Sequence, residues 1–128
     1  MKQKDMMKRD KVLRVAVDLD GTLTKIGHFY DLWGTTFAEL YPIYHDVEPN
    51  KKMIKIVNDL YDKGYVVYIF TSRYDIYQKV TEEWLKRYGI KYHYFTMNKP
   101  FYNILIDDKG YRPDEIKNVE DVEGWMLD

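Results

Sequence analysis

Two short apolar runs rich in β-branched and aromatic residues stand out along the chain. Val12 to Val17 (VLRVAV) ends at Asp18 and a glycine-containing turn, and Tyr65 to Phe70 (YVVYIF) ends at Thr71 and Ser72. Both read as buried strands. From Asn50 the pattern changes to helical period: Asn50 is placed to cap, Met53, Ile54, Val57, Leu60 and Tyr61 share a face, and Gly64 follows as a stop. A second amphipathic helix, with Asp75 placed to cap it, carries Ile76, Val80, Trp84, Leu85 and Tyr88 at three- and four-residue spacing and ends at Gly89. Ile90, Tyr92 and Tyr94 alternate with Lys91, His93 and Phe95, which predicts a third, more exposed strand, and Tyr102 to Ile106 (YNILI) predicts a fourth. Strands alternating with amphipathic helices give the α/β class, a parallel sheet covered on both faces. One joint is strained in this scheme. About six residues connect the third and fourth strands, against roughly ten to twelve or more for a parallel crossover.

Composition narrows the possibilities. With 128 residues, 45% of them hydrophobic, the chain is expected to form a single domain, 1–128, with a core of its own. Twenty basic and twenty-one acidic residues nearly cancel, so no overall field favours nucleic acid or an anionic membrane. There is no cysteine, which removes disulfides, thiolate nucleophiles and cysteine zinc sites. The basic stretch Met1 to Lys11 lacks the apolar run of a signal peptide, and no segment reaches the length of a membrane span. The expectation is a cytoplasmic protein whose first residues form a solvated tail.

Polar residues gather at the ends of the predicted strands: Asp18 and Asp20 after the first, Thr71 and Ser72 after the second, Asp107 and Asp108 after the fourth, with Lys99 just before the fourth. In an open parallel sheet these carboxyl ends share one edge, and residues distant in sequence converge there. Two carboxylates about 4 Å apart repel by on the order of 4 kcal/mol at an effective dielectric near 20. Either some are protonated or a cation sits among them. Oxygen-only ligands favour magnesium. Phosphoryl transfer is the chemistry that most needs such a set: Lys99 and a metal neutralise phosphate charge, Thr71 or Ser72 donates to a phosphoryl oxygen, and one carboxylate remains to attack.

Asp18-Leu19-Asp20-Gly21-Thr22-Leu23 after an apolar strand resembles the first motif of the haloacid dehalogenase-like superfamily. Ile69-Phe70-Thr71-Ser72-Arg73 resembles its second motif, Lys99 in Asn98-Lys99-Pro100 its third, and Ile106-Asp107-Asp108-Lys109 its acidic fourth, in that order. The stretch from Asn98 to Glu115 is similar to small phosphatases of capsular polysaccharide biosynthesis, and the whole resemblance spans about residues 12–115. It implies a single Rossmann-like, doubly wound, mostly parallel sheet flanked by helices, with at most a minimal cap or flap insert at about 24–49. It also implies a magnesium-dependent phosphatase acting on a phosphate monoester, a small sugar phosphate above all. In that reading Asp18 is the nucleophile, Asp20 the general acid and then base, and Thr71 and Lys99 complete the catalytic set. Magnesium is held by Asp18, the Asp20 carbonyl, Asp107 and Asp108, with the order of the last two open. Gly21, Thr22, Ser72 and Arg73 face the substrate. Asn98 stands where relatives often have Gly.

Each motif has a plainer reading. Asp-Gly is a common turn, Thr-Ser a common cap, and a lone Lys usually a surface residue. Their conjunction at strand ends carries the argument. A calcium loop does not match, because Gly falls at the fourth place and no acid occupies the fifth or twelfth. His28, His45 and His93 lack ligand spacing. Trp84 reads as helix-face packing, and Trp125 as docked or loose. Phe29, Tyr30, Trp33, Phe37, Tyr41 and Tyr44 in the insert either pack it onto the sheet or stack on a sugar ring or base. Arg73 either meets a second anionic group or pairs with a nearby acid.

Three rivals remain. A nucleotidase or nucleic-acid end phosphatase keeps the chemistry with another substrate. A receiver domain also gathers acids, Thr and Lys, but places its phosphorylated Asp on a middle strand and lacks an Asp two places on. A metal-dependent nucleotide-sugar binding or interaction module would bind without turnover.

Overall fold

The two apolar runs pair with each other in the computed structural model, which describes residues 13–26, 36–100, 102 and 104–127. β1 (Arg14–Asp18) lies parallel to β2 (Val66–Phe70), in register from Arg14 opposite Val66 to Asp18 opposite Phe70. The insert helix α1 spans Phe37–Asp46 and α2 spans Lys51–Asp62, both between these strands. After β2 come a 3₁₀ turn at Asp75–Tyr77, α3 (Gln78–Arg87) and β3 (Tyr94–Thr96), which pairs parallel to β2. Helix α4 (Val119–Leu127) closes the chain. Among the described residues the class is therefore α/β: an open, Rossmann-like parallel sheet in the order β1-β2-β3, flanked by four helices.

Alternation along the strands decides what is buried. Val15 and Val17 stand opposite Val67 and Ile69, with Phe95 opposite Ile69, and this row enters the core with Met53, Ile56, Val57 and Leu60 of α2 and Trp84 and Leu85 of α3. The indole N–H of Trp84, wholly buried, donates to the Val47 carbonyl at 2.9 Å, which fixes α3 to the end of the insert. The predicted cap at Asn50 is present, whereas Asp75 lies inside the 3₁₀ turn and α3 starts after Tyr77 with no side-chain cap. Asn50 accepts from the Met53 N–H. Gly64 and Gly89 take the left-handed conformation, with φ of 96° and 66°, that lets each helix stop and the chain turn into the next segment.

Helix α4 packs beside α2 and is tied to the segment after α2 through Glu123, which accepts from the Lys63 ammonium and from the Tyr65 hydroxyl at 2.7 Å. Trp125 stacks on Tyr111 at 3.9 Å and 8°. It is docked rather than loose.

Two predicted elements differ. The third strand begins only at Tyr94; the His93 N–H still donates to the Val67 carbonyl at 2.9 Å, but other groups of the segment before Tyr94 are diverted to side chains. Asn58 bonds the Gly89 carbonyl and the Lys91 N–H, and the Val67 N–H is met by the His93 ring at 3.0 Å, where a ladder would place a backbone carbonyl. The fourth strand is not formed at Tyr102 or at 104–106, and Ile104 and Ile106 are 77% and 93% exposed; Asn103 lies outside the described residues. The reason is length. The Lys99 N–H is bonded to the Thr71 carbonyl at 2.8 Å, which pins the chain at the carboxyl edge. A parallel strand would have to descend the sheet and climb back within a handful of residues. The predicted N-terminal tail and residues 27–35 of the insert, with Phe29, Tyr30 and Trp33, lie outside the described residues. Among the described residues no helix is long and apolar enough to cross a membrane.

Replacing Trp84 with Ala removes a buried indole and its hydrogen bond, and should lower stability by about 3–5 kcal/mol, read as a lower urea midpoint at unchanged m. Lys63 first, then Tyr65, holds the Glu123 carboxyl below the usual range, while burial and then Glu123 push Tyr65 up to about 12. A depressed acid stabilises above its unfolded pKa and loses that contribution as pH falls through the folded value. The melting-temperature gap between wild type and Glu123→Gln should therefore be widest near neutrality and shrink below about pH 4.

Candidate functional site

Asp18 closes β1, and the chain then winds into a tight turn. The Leu19 carbonyl receives the N–H groups of Thr22, Leu23 and Thr24 at 3.2, 2.8 and 3.1 Å, and the fully buried Leu19 and Leu23 anchor the turn in the core. The turn needs a left-handed residue, and Gly21, with φ of 82°, supplies it. The Gly21 N–H donates to the Thr24 hydroxyl, which itself donates to the Ile26 carbonyl. A bridge from Thr24 to Pro49 and a bond from the Asn50 N–H to the Leu23 carbonyl tie the turn to the start of α2. Asp18 and Asp20 thus stand on a fastened support, with Thr22 beside them on the cleft wall.

The second group comes from the end of β2 and the segment after β3. Thr71 is 1% exposed; its hydroxyl accepts the Arg73 N–H at 3.1 Å, and its backbone bonds both Thr96 and Lys99. Ser72 faces the cleft. Asn98 takes the left-handed conformation, φ 60°, which Asn tolerates better than most residues. Its side chain accepts the Asp75 N–H and its own N–H reaches the Arg73 carbonyl. This departure from Gly is accommodated, and it delivers Lys99. The Lys99 ammonium lies 3.4 Å from Asp18 Oδ1, 4.4 Å from the centre of the Phe70 ring and 3.2 Å from the Tyr102 hydroxyl. Burial raises the Asp18 carboxyl above its ordinary range and the neighbouring Asp20 adds to this; Lys99 and the Leu19 N–H, which bonds Asp18 at 2.8 Å, act against it.

Arg73 is turned inward. Its side chain is 2% exposed and grips Asp20 at two points, Nε to Oδ2 at 3.0 Å and a terminal nitrogen to Oδ1 at 2.7 Å. The other terminal nitrogen donates to the Thr81 hydroxyl at 3.1 Å, which donates onward to the Tyr77 carbonyl at 2.8 Å. The Tyr44 ring from α1 covers the guanidinium at 3.8 Å. Of the two roles open to Arg73 in the sequence, the pairing with a nearby acid is the contact observed. Thr81 and Tyr44 were not legible as part of the site; Thr81 reads as an ordinary helix residue and Tyr44 as one of several insert aromatics. Phe37, Tyr41 and Tyr44 pack the insert, with Phe37 stacked on Tyr77 at 5.3 Å and Tyr44 edge-on to it at 5.0 Å.

Asp107 and Asp108 face the same broad cleft as Asp18, Asp20 and Lys99. Both are exposed, and the only bond described for either is from the Lys109 N–H to Asp107 Oδ1 at 3.0 Å. Among the described residues no three acidic or histidine side chains come close enough to hold a metal ion. The side chains expected around magnesium are thus not gathered into one group; Asp18 and the Asp20 backbone carbonyl share the turn after β1, and the Arg73 grip involves only the Asp20 side chain. His45 bonds Asp46 and Arg87, and His93 caps Val67; His28 lies outside the described residues.

No protein-family model and no curated protein matches the chain. Solved structures do. A crystal structure of a structural-genomics target from Vibrio cholerae is similar at 24% identity and a TM-score of 0.65, covering 89% of this chain and 96% of that one. A chain of the Pnkp1/Rnl/Hen1 complex is similar at 23% identity and a TM-score of 0.53, covering 77% of this chain but 32% of its own length. At these identities the likeness shows the fold alone.

Removing one partner of a buried ion pair strands the other. Asp20→Asn should therefore lower stability by about 3–5 kcal/mol in urea unfolding. Asp18→Asn should change it by no more than about 1 kcal/mol, since the lost partner of Asp18 is offset by relief of a carboxylate that burial disfavours.

Proposed function

We propose that this chain is a phosphatase of the haloacid dehalogenase-like type, hydrolysing a phosphate monoester through a phosphoaspartate on Asp18. The observation that carries the reading is the meeting at one sheet edge of residues from three separate parts of the sequence: Asp18 and Asp20, Arg73, and Lys99. Asp18 ends β1, Lys99 sits 3.4 Å from it, and Asp20 follows two places on with its orientation fixed by Arg73. A single strand-end carboxylate would be an ordinary turn residue. A paired lysine and an oriented second carboxylate are the parts a two-step displacement uses.

The first step starts with Asp20 protonated on a lone pair that Arg73 leaves open: a carboxylate oxygen of Asp18 attacks phosphorus, the ester P–O bond breaks, and the departing oxygen takes that proton from Asp20. Lys99 then faces the transferred phosphoryl group and balances its charge. Asp20, now deprotonated, takes a proton from water, which attacks phosphorus and releases inorganic phosphate and the Asp18 carboxylate. Ser72, at the cleft wall, is placed to donate to a phosphoryl oxygen. Gly21, without a side chain, leaves the turn open to the phosphate. Magnesium, the metal of the resembled family, belongs to this proposal as a requirement to be tested, and no step above runs through it. The substrate reading is a small phosphorylated metabolite, a sugar phosphate before a nucleotide. The near-zero net charge of the chain supports small substrates over a long polyanion.

Phosphate release from an aryl phosphate, sugar phosphates and mononucleotides, with magnesium or chelator, tests the reading. Wild type should turn over and Asp18→Asn should lose at least about 10³-fold in kcat, with Lys99→Ala losing about 10²-fold or more. A folded wild type that releases no phosphate from any of them, or that holds a long-lived phosphoaspartate without turnover, would move a binding module or a receiver domain ahead.

A further inference from the structure

Arg73 occupies the place where the sequence offers a contact for an anionic substrate, yet its geometry is that of a residue committed to the protein. Although Arg73 lines the cleft, its guanidinium fork is spent on Asp20, both of whose carboxylate oxygens are engaged at 3.0 and 2.7 Å. The third donor direction ends on Thr81, which is itself bonded onward to the Tyr77 carbonyl. One flat face lies under the Tyr44 ring. Its backbone is fixed as well, through Thr71 Oγ1 and the Asn98 N–H. A side chain held from this many sides, with 2% of its surface exposed, has no freedom to swing out to a ligand without leaving the Asp20 carboxylate unmatched.

We propose, resting on the phosphatase reading, that Arg73 is the positioning residue for Asp20, and that Tyr44 of the insert helix completes its seat. Each Asp20 oxygen accepts one N–H from Arg73 and keeps a second lone pair. Asp20 can therefore exchange a proton on the cleft side while Arg73 fixes the plane of the carboxyl group. Placement of this kind controls rate: a displacement of about 1 Å in a reacting group costs on the order of 10²-fold. The two-point grip also makes the residue type specific, because lysine keeps the charge but has neither the planar fork nor the flat face. Tyr44 gives the insert a part in the chemistry. Helix α1 otherwise touches the rest of the fold through α3 and the Phe37, Tyr44 and Tyr77 cluster, and Tyr44 is the point at which that packing meets the acid–base pair.

The experiment is a double-mutant cycle of Asp20→Asn and Arg73→Lys, with kcat and KM measured for an aryl phosphate and urea unfolding of the same four proteins. Arg73→Lys should lower kcat by about 10- to 100-fold with KM within about threefold, and on the Asp20→Asn background its effect on kcat should largely vanish. Tyr44→Leu should lower kcat by about three- to tenfold, and Tyr44→Phe, which keeps the ring face, by less. A rise in KM with kcat preserved would overturn the proposal in favour of substrate contact, and so would an undiminished kcat effect on the Asp20→Asn background. The unfolding midpoints read the same pairing without turnover: non-additive shifts support it and additive shifts overturn it. Non-additive midpoints from a wild type that releases no phosphate would leave the pairing standing and remove the phosphatase reading instead.

Discussion

Everything in this molecule depends on the parallel pairing of β1 with β2. Five residues of each strand, Arg14–Asp18 and Val66–Phe70, align end to end. Because the strands run the same way, both carboxyl ends fall on one edge, and the chain leaving each of them must turn there. Asp18 comes from one such turn and Thr71, Ser72 and Arg73 from the other. β3 extends the edge, so that Lys99 arrives three residues after its end. The apolar row of Val15, Val17, Val67 and Ile69, held against α2 and Trp84, fixes the register, and the polar groups beyond it inherit their spacing from that packing.

Much of this was legible because it is local. The helix starting at Asn50 announces itself by its cap and by five apolar residues on one face, and Gly64 and Gly89 mark stops that the backbone realises with positive φ. The meeting of Asp18 with Lys99, across eighty-one positions of sequence, was expected from the motif resemblance, while the strand pattern put Lys99 before a fourth strand; in the structure it follows β3 and reaches Asp18 from there. Asn98, a departure from the resembled motif, proves compatible with the left-handed turn that Gly would have served.

What the sequence left undecided is what depends on tertiary partners. A period-two pattern at Ile90 to Phe95 could not reveal that Asn58 and the His93 ring would take the hydrogen bonds a longer third strand needs. The apolar Tyr102 to Ile106 has the composition of a strand and lacks the connection to become one beside β1 while Lys99 is tethered to Thr71. The direction of Arg73 was ambiguous because an arginine beside acids serves a ligand or a carboxylate equally well on paper. Thr81 and Tyr44, eight residues after it and twenty-nine before it, hold it in the direction observed. Helix α1 was also not apparent, since Pro42 interrupts its pattern and it is held by aromatic packing on Tyr77.

The four charged groups at the strand ends cancel in pairs: Lys99 against Asp18, and Arg73 against Asp20. Between them they project almost no net charge into the cleft, so they add little to the long-range steering of an incoming dianion. On the proposed phosphatase reading, capture at these groups would be a short-range exchange in which a phosphate parts Lys99 from Asp18 and takes over its ammonium. On that reading the same movement would free the Asp18 carboxylate as a phosphorus atom comes before it, and the proposed nucleophile would stay masked until there is something to attack.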